Sequence, residues 1–295
     1  MKRALMTALY GLVYRLGRDT LDGGITILSY HSIDDHATGI SVPPQLFEAQ
    51  MRTLARMGCR TFTMAEVADS LATRRPFPPR SVAITFDDAF SNVATIAAPI
   101  MARYKFTATV YVITGMIGRV TQWSNRGAAL PALPIMTWPQ IEALSARGIE
   151  IGAHTVTHRF LTHCKPDEIT RELGESRATL EHQLGVPVRA FAYPQGDYNR
   201  AVVAATRAAG YTIAATIDQG RAQPDSYPLR LPRLHVGTNT TPAVMRAFVV
   251  PTIGPVYRLI NVVIRGLLRR KTWPRPSPDD IQSTESLPAL GIEHP

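Results

Sequence analysis

Short apolar runs that end in polar residues alternate with segments of helical spacing along most of this chain. Residues 25–30 (ITILSY) read as a first strand with His31 at its end, and the Pro43-Pro44 turn leads into a helix over 45–57. Thr61-Phe62 and a helix over 66–71 come before a loop rich in proline (Pro76, Pro78, Pro79). A strand over 81–86 follows, then a helix over 96–104 and a β-branched strand over 107–113. Residues 115–134 carry little pattern and are predicted as a long loop, of the kind that can wall a substrate site. Beyond it come a helix over 138–147, a strand over 148–153, a helix over 166–184, a strand over 190–193, a helix over 200–209 and strands over 212–216 and 231–236. About seven parallel strands with helical crossovers predict an α/β fold, an incomplete or distorted (β/α) barrel rather than an open sheet. The barrel is expected to form a single domain with flanking helices, and no internal repeat is present.

The two ends depart from that alternation. Leu5, Leu9, Leu12, Val13 and Leu16 recur at helical spacing, so residues 1–20 are predicted as an amphipathic helix. Lys2 and Arg3 before an apolar stretch resemble a secretory signal, but Arg15 interrupts the stretch and no small-x-small cleavage site follows. Residues 251–272 place Val256, Leu259, Ile260, Val263, Ile264, Leu267 and Leu268 on one face and Arg258, Arg265 and Arg269 on another, a basic amphipathic helix. Residues 273–295, with spaced prolines and acids, read as a disordered tail, which leaves 21–250 as the folded domain. Neither helix approaches membrane-spanning length. The terminal helices could lie on an anionic membrane surface, or pack on the barrel or on each other with their arginines complementing the helix dipole, and the chain is expected to be cytoplasmic or peripherally membrane-associated.

Charge and cysteine content narrow the classes. The net charge is +9, yet residues 1–20 supply +3 and residues 251–295 supply +2, so the long middle is too dilute in positive charge for a nucleic-acid partner. Cys59 and Cys164 have no CxxC spacing, so neither a thiolate zinc site nor a disulfide framework is implied.

The candidate chemistry sits where strands end. Asp87 and Asp88 close one apolar run, and His154 and His158 follow another. Two imidazoles and a carboxylate suit one divalent metal, and three protein ligands leave positions open for water and substrate. The set points to a mononuclear metal hydrolase.

Ala83-Ile84-Thr85-Phe86-Asp87-Asp88, Glu150 to His158 (EIGAHTVTH) and Phe191-Ala192-Tyr193-Pro194-Gln195-Gly196 resemble, in order and spacing, the first three motifs of the polysaccharide deacetylases. That family is also called carbohydrate esterase family four, or the NodB homology family. The resemblance covers roughly residues 25–238 and is nearest in style to the exopolysaccharide and poly-N-acetylglucosamine deacetylase branch. It implies that Asp88, His154 and His158 hold the metal, zinc first with cobalt, nickel or manganese as alternatives, and that Asp87 is the general base. It further implies removal of N-acetyl groups from amino sugars in an oligo- or polysaccharide, with release of acetate. The backbone N–H at Gln195, where the family usually has tyrosine, is the expected oxyanion donor. Tyr193, Pro194 and Trp123 are the expected substrate contacts.

Two parts of the family pattern stay open. The acid that protonates the leaving amine is expected to be His31, in a segment similar to the opening motif of the circularly permuted branch, with His235 as the alternative. The arginine that begins the third motif and orients the base is missing, since Ala190 and Ala192 flank Phe191; Arg233 or Arg189 is expected to replace it. Asp218 could act on a catalytic histidine or simply make a turn. An O-acetyl esterase on a glycan, or a carbohydrate-binding chain without turnover, would share much of this pattern.

Overall fold

The protein is described by a computed structural model over residues 10–16, 22–36, 38–121, 124–125, 128–129 and 131–251. Its main sheet has eight strands: β1 (Thr26–Tyr30), β2 (Arg60–Phe62), β3 (Ser81–Phe86), β4 (Thr109–Val112), β5 (Glu150–Ala153), β6 (Ala190–Ala192), β7 (Ile213–Ala215) and β8 (Leu234–His235). The order is β8-β1-β3-β4-β5-β6-β7, with β2 on β3 beside it, and every ladder is parallel. Thr216 N donates to the Leu231 carbonyl and Leu231 N to that of Ala214, both at 2.9 Å, so β7 is tied to the segment that becomes β8. The sheet thereby curls into a distorted (β/α) barrel. The strand expected over 231–236 shrinks to two residues because Pro232 has no N–H to give a ladder.

The described helices are α1 (Pro44–Arg56), α2 (Met64–Ala72), α3 (Ala98–Arg103), α4 (Trp138–Ser145), α5 (Pro166–Leu184), α6 (Arg200–Ala208) and α7 (Pro242–Phe248), and all but α2 cover the outside. A π-helical turn, Val93–Ala97, runs into α3, so helical backbone begins before the expected position 96. Helix α2 also starts early, because Thr63 and Glu66 make a reciprocal capping box.

Residues alternate across each strand between two apolar clusters. Leu28, Val82, Ile84, Phe86, Val110 and Val112 face the helices. Ile25, Ile27, Ala83, Tyr111, Ala190, Ala192, Ile213 and Ala215 share the barrel interior with Met64, Val67, Ala68 and Leu71 of α2. The first amides of α2, Met64 and Ala65, donate to the Glu150 carboxylate at the start of β5, so α2 closes the N-terminal mouth. The C-terminal mouth is left for chemistry.

Residues 10–16 are helical. Tyr10 and Val13 are buried, Tyr10 edge-on to Phe248 at 6.4 Å, whereas Leu12 and Leu16 are exposed, so the expected leucine stripe divides between two faces. The basic helix expected over 251–272 and the tail over 273–295 lie outside the described residues except for Pro251. No described helix is long and apolar enough to cross a membrane.

Candidate active site and metal centre

Strand alternation decides what the C-terminal mouth contains. Counting inward positions by twos from the barrel interior leads from Ile27 to His31, from Ala83 through Thr85 to Asp87, from Gly152 to His154, and from Leu231 through Arg233 to His235. Residues far apart in sequence therefore meet in one place.

Asp88, His154 and His158 bring one ligand atom each to within 4.8 Å of one another. Asp88 Oδ1 lies 3.5 Å from His154 Nε2 and 3.4 Å from His158 Nε2. His154 Nδ1 donates to the Ala192 carbonyl oxygen at 2.7 Å, which leaves the Nε2 lone pair facing Asp88. Burial pushes both imidazoles below the ordinary histidine value, so both are neutral donors. Burial, reinforced by the neighbouring Asp87 charge, pushes the Asp88 carboxyl well up. Asp88 Oδ1 is buried without any hydrogen-bond partner. An orphaned carboxylate oxygen against two neutral imidazole nitrogens is the donor set a divalent cation needs, so the residues fit the metal.

Asp87 is buried beside this triad and is gripped at two points: Arg233 Nη1 donates to Oδ1 at 2.7 Å and Nη2 to Oδ2 at 2.8 Å. Burial alone would raise the Asp87 pKa, but the Arg233 charge and hydrogen bonds outweigh it and hold the carboxyl well below the usual range. Arg233 is itself fixed by Nε donating to the Thr216 carbonyl at 2.8 Å and Nη1 to Thr85 Oγ1 at 3.2 Å. Arg189 reaches Asp69 on α2 instead, at 2.7 Å. His31 Nε2 stands 3.8 Å from Asp87 Oδ2, and its ring centre is 5.9 Å from that of His235, which is exposed. Burial lowers the His31 pKa to about 3 against the opposing pull of Asp87.

The histidine pair rides on a loop, not a helix. Thr155 and His158 both take left-handed backbone, at φ 66° and 60°. Glu172 of α5, 2% exposed, accepts from Val156 N at 2.8 Å, Thr157 N at 2.9 Å and Thr157 Oγ1 at 2.5 Å. From the other side Gly115 N donates to the Val156 carbonyl at 2.9 Å, and a Cβ at position 115 would stand 2.6 Å from that oxygen. Sequence reasoning missed Glu172, although a carboxylate in phase with the buried Ile169, Leu173 and Ser176 was the available signal. It also missed Asn92, which donates to Ser32 Oγ at 2.7 Å and accepts from Ile33 N at 3.0 Å, tying the His31 loop to the Asp87 loop.

The third motif takes a tight form, with Gln195 at φ 56° and ψ 7°. Pro194 is buried. Tyr193 is buried too, its hydroxyl donating to the Leu229 carbonyl at 2.9 Å, so that side chain serves packing where substrate contact was expected. Asp218 accepts from the Tyr198 hydroxyl at 2.6 Å. Trp123 lies outside the described residues.

The chain is thus an α/β protein whose curled parallel sheet carries a His2Asp metal-binding triad at one mouth. Residues 74–214 match the family model described as polysaccharide deacetylase. The poly-β-1,6-N-acetyl-D-glucosamine N-deacetylase of Staphylococcus epidermidis is 25% identical over 231 residues, 75% of this chain and 76% of that one. Among solved structures, the Streptococcus pyogenes deacetylase PplD in complex with acetate is 28% identical with a TM-score of 0.69, over 77% of this chain and 99% of its own. IcaB from Ammonifex degensii is 25% identical with a TM-score of 0.67, over 77% and 97%.

Proposed function

We propose that the protein is a metal-dependent N-deacetylase that removes acetyl groups from amino sugars in an oligo- or polysaccharide. The observation that carries this reading is the Arg233-held carboxylate of Asp87 beside the Asp88–His154–His158 triad, with His31 Nε2 3.8 Å from Asp87. A divalent metal, zinc or else cobalt, nickel or manganese, would supply Lewis acidity toward the acyl oxygen and toward water. Asp87, kept ionised by Arg233, takes the proton of the attacking water. The Gln195 backbone N–H is the donor for the oxygen that gains negative charge. His31 enters turnover neutral, so the proton it hands to the leaving nitrogen is the one released from water by way of Asp87. The carbon–nitrogen bond breaks, and acetate and a free amine depart. The name of the Staphylococcus epidermidis relative supports an N-acetylated amino-sugar polymer as the substrate. The exposed Leu12 and Leu16 support a peripheral membrane contact through the terminal segments flanking the 21–250 domain; liposome binding unchanged by deleting 251–295 would remove the C-terminal part of that contact.

The test is acetate release from N-acetylglucosamine oligomers and from an O-acetylated glycan. Metal-stripped protein, refilled with each of the four metals, is compared with Asp87→Asn. Release from the oligomers that returns with metal and vanishes in the variant is the expected result. Release from the O-acetylated glycan alone would make the protein an esterase, and glycan binding without any release would make it a binding protein.

A further inference from the structure

Tyr111 plays no part in the chemistry above, yet it is one of the largest fully buried side chains of the molecule and lies within the barrel. Its ring centre is 5.9 Å from Arg233 Cζ and 6.4 Å from the centre of the His154 ring. Tyr111 and Gly152 are direct partners across the β4–β5 ladder. A Cβ at position 152 would stand 2.6 and 2.8 Å from Tyr111 Cδ1 and Cε1, and 2.9 Å from the Ala190 carbonyl oxygen. Glycine at 152 is what lets the ring lie there. The Tyr111 hydroxyl is buried without a partner, so the ring itself is the part that acts.

The hydrogen bonds of Arg233 leave from the edge of its guanidinium: Nε to Thr216, Nη1 to Asp87 and Thr85, and Nη2 to Asp87. Such bonds fix a planar group chiefly within its plane, and Arg233 Cζ lies over the face of the Tyr111 ring. The face of an aromatic ring attracts a cation placed over it. The same interior cluster contains Ala83, Ala190, Ala192 and Ala215, whose methyl groups offer no such surface.

We propose that Tyr111 is a positioning residue for the general base: its ring, admitted by Gly152, supports the Arg233 guanidinium in the plane from which both Nη atoms reach Asp87. The kinetic arm of the test rests on the deacetylase reading; the structural arm does not.

Tyr111→Phe, Tyr111→Met and Gly152→Ala are compared with the parent by crystal structure, metal content, melting temperature and acetate release. Tyr111→Phe should keep both Arg233–Asp87 bonds, melt no lower than the parent, and hold kcat and KM within about twofold. Tyr111→Met should break the two-point grip and lower kcat by about tenfold or more, with metal content and KM near parental. Gly152→Ala should do the same with Tyr111 intact, which covers a failure of the methionine variant to fold. An undisturbed Arg233–Asp87 pair in the variants that lose or displace the ring overturns the proposal. So does a Tyr111→Phe variant as impaired as Tyr111→Met, which would transfer the role to the hydroxyl. Should the parent release no acetate, the deacetylase reading falls and the crystal structures alone decide the role of Tyr111.

Discussion

Arg233 meets Asp87 at both carboxylate oxygens, 2.7 and 2.8 Å away, with side chains only 1% and 6% exposed. Removing one partner strands the other in a place water does not reach. Arg233→Met is therefore expected to destabilise the protein by about 3–5 kcal/mol, read by urea unfolding. It should also cost about a hundredfold or more in turnover. The pH dependence carries a sign. Asp87 is held below its ordinary value of 3.8, so its pairing stabilises the fold above that pH and is lost as the pH falls. Without Arg233 burial prevails and the pKa rises, so the acid limb of kcat/KM should move to higher pH. A limb that stays in place would separate Arg233 from the base.

The Asp88 carboxyl is raised by burial and by Asp87, and its Oδ1 has no hydrogen-bond partner. A raised carboxyl stabilises the metal-free fold at low pH and loses that contribution as the pH climbs and the group must ionise. Metal uptake should displace the remaining proton. Calorimetry of zinc binding near pH 6 is expected to give an enthalpy that varies with the buffer's heat of ionisation. Asp88→Asn should abolish that variation and weaken binding by more than about a hundredfold, beyond the loss typical of an outer partner. Buffer-independent heats in the parent would show that Asp88 is already ionised.

The legible part of this site was the part written in contiguous motifs. Asp87, Asp88, His154 and His158 sit at strand ends that local patterning locates, and period two then carries them to one mouth. Arg233 and Arg189 were indistinguishable as partners for Asp87 because nothing local says which side of the barrel each faces. Closure settles it: Arg233 follows Leu231 inward, while Arg189 turns to Asp69. Glu172 was hidden by its surroundings in sequence, since a glutamate in a helix full of charge reads as solvated until the loop above it is placed. β8 is shorter than its hydrophobic pattern predicts because Pro232 has no N–H to give a ladder.

Glu172 carries a prediction about the loop. Its carboxylate satisfies two backbone N–H groups and one hydroxyl between the two histidine ligands. Glu172→Ala leaves those donors without their acceptor, at a cost of about 1–3 kcal/mol for each that stays buried and unpaired. Because the loop fixes His158 relative to His154, zinc affinity is expected to fall by about 10–100-fold. Competitive chelator titration and thermal melting check the two effects together. A variant that melts lower yet binds zinc as before would confine Glu172 to stability.

If His31 is the acid, as proposed, it decides which bonds the site can cleave. An amine leaves a tetrahedral intermediate only when it is protonated, whereas an alkoxide leaving group depends far less on an acid. His31→Asn should therefore lower amide hydrolysis by about 10²–10⁴-fold and O-acetyl ester hydrolysis by much less. Stability supplies an independent reading. With its pKa lowered to about 3 from 6.5, His31 stays neutral in the fold while the unfolded chain charges it, so its contribution is full above pH 6.5 and is lost as the pH falls from there toward 3. The drop in melting temperature between pH 7 and pH 5 should thus be smaller in His31→Asn than in the parent. Should amide and ester turnover fall alike, the acid lies elsewhere. His235, its ring 5.9 Å from that of His31 at the end of the adjoining strand, is then the residue to replace, and selective loss of amide hydrolysis in His235→Asn would assign the role to it.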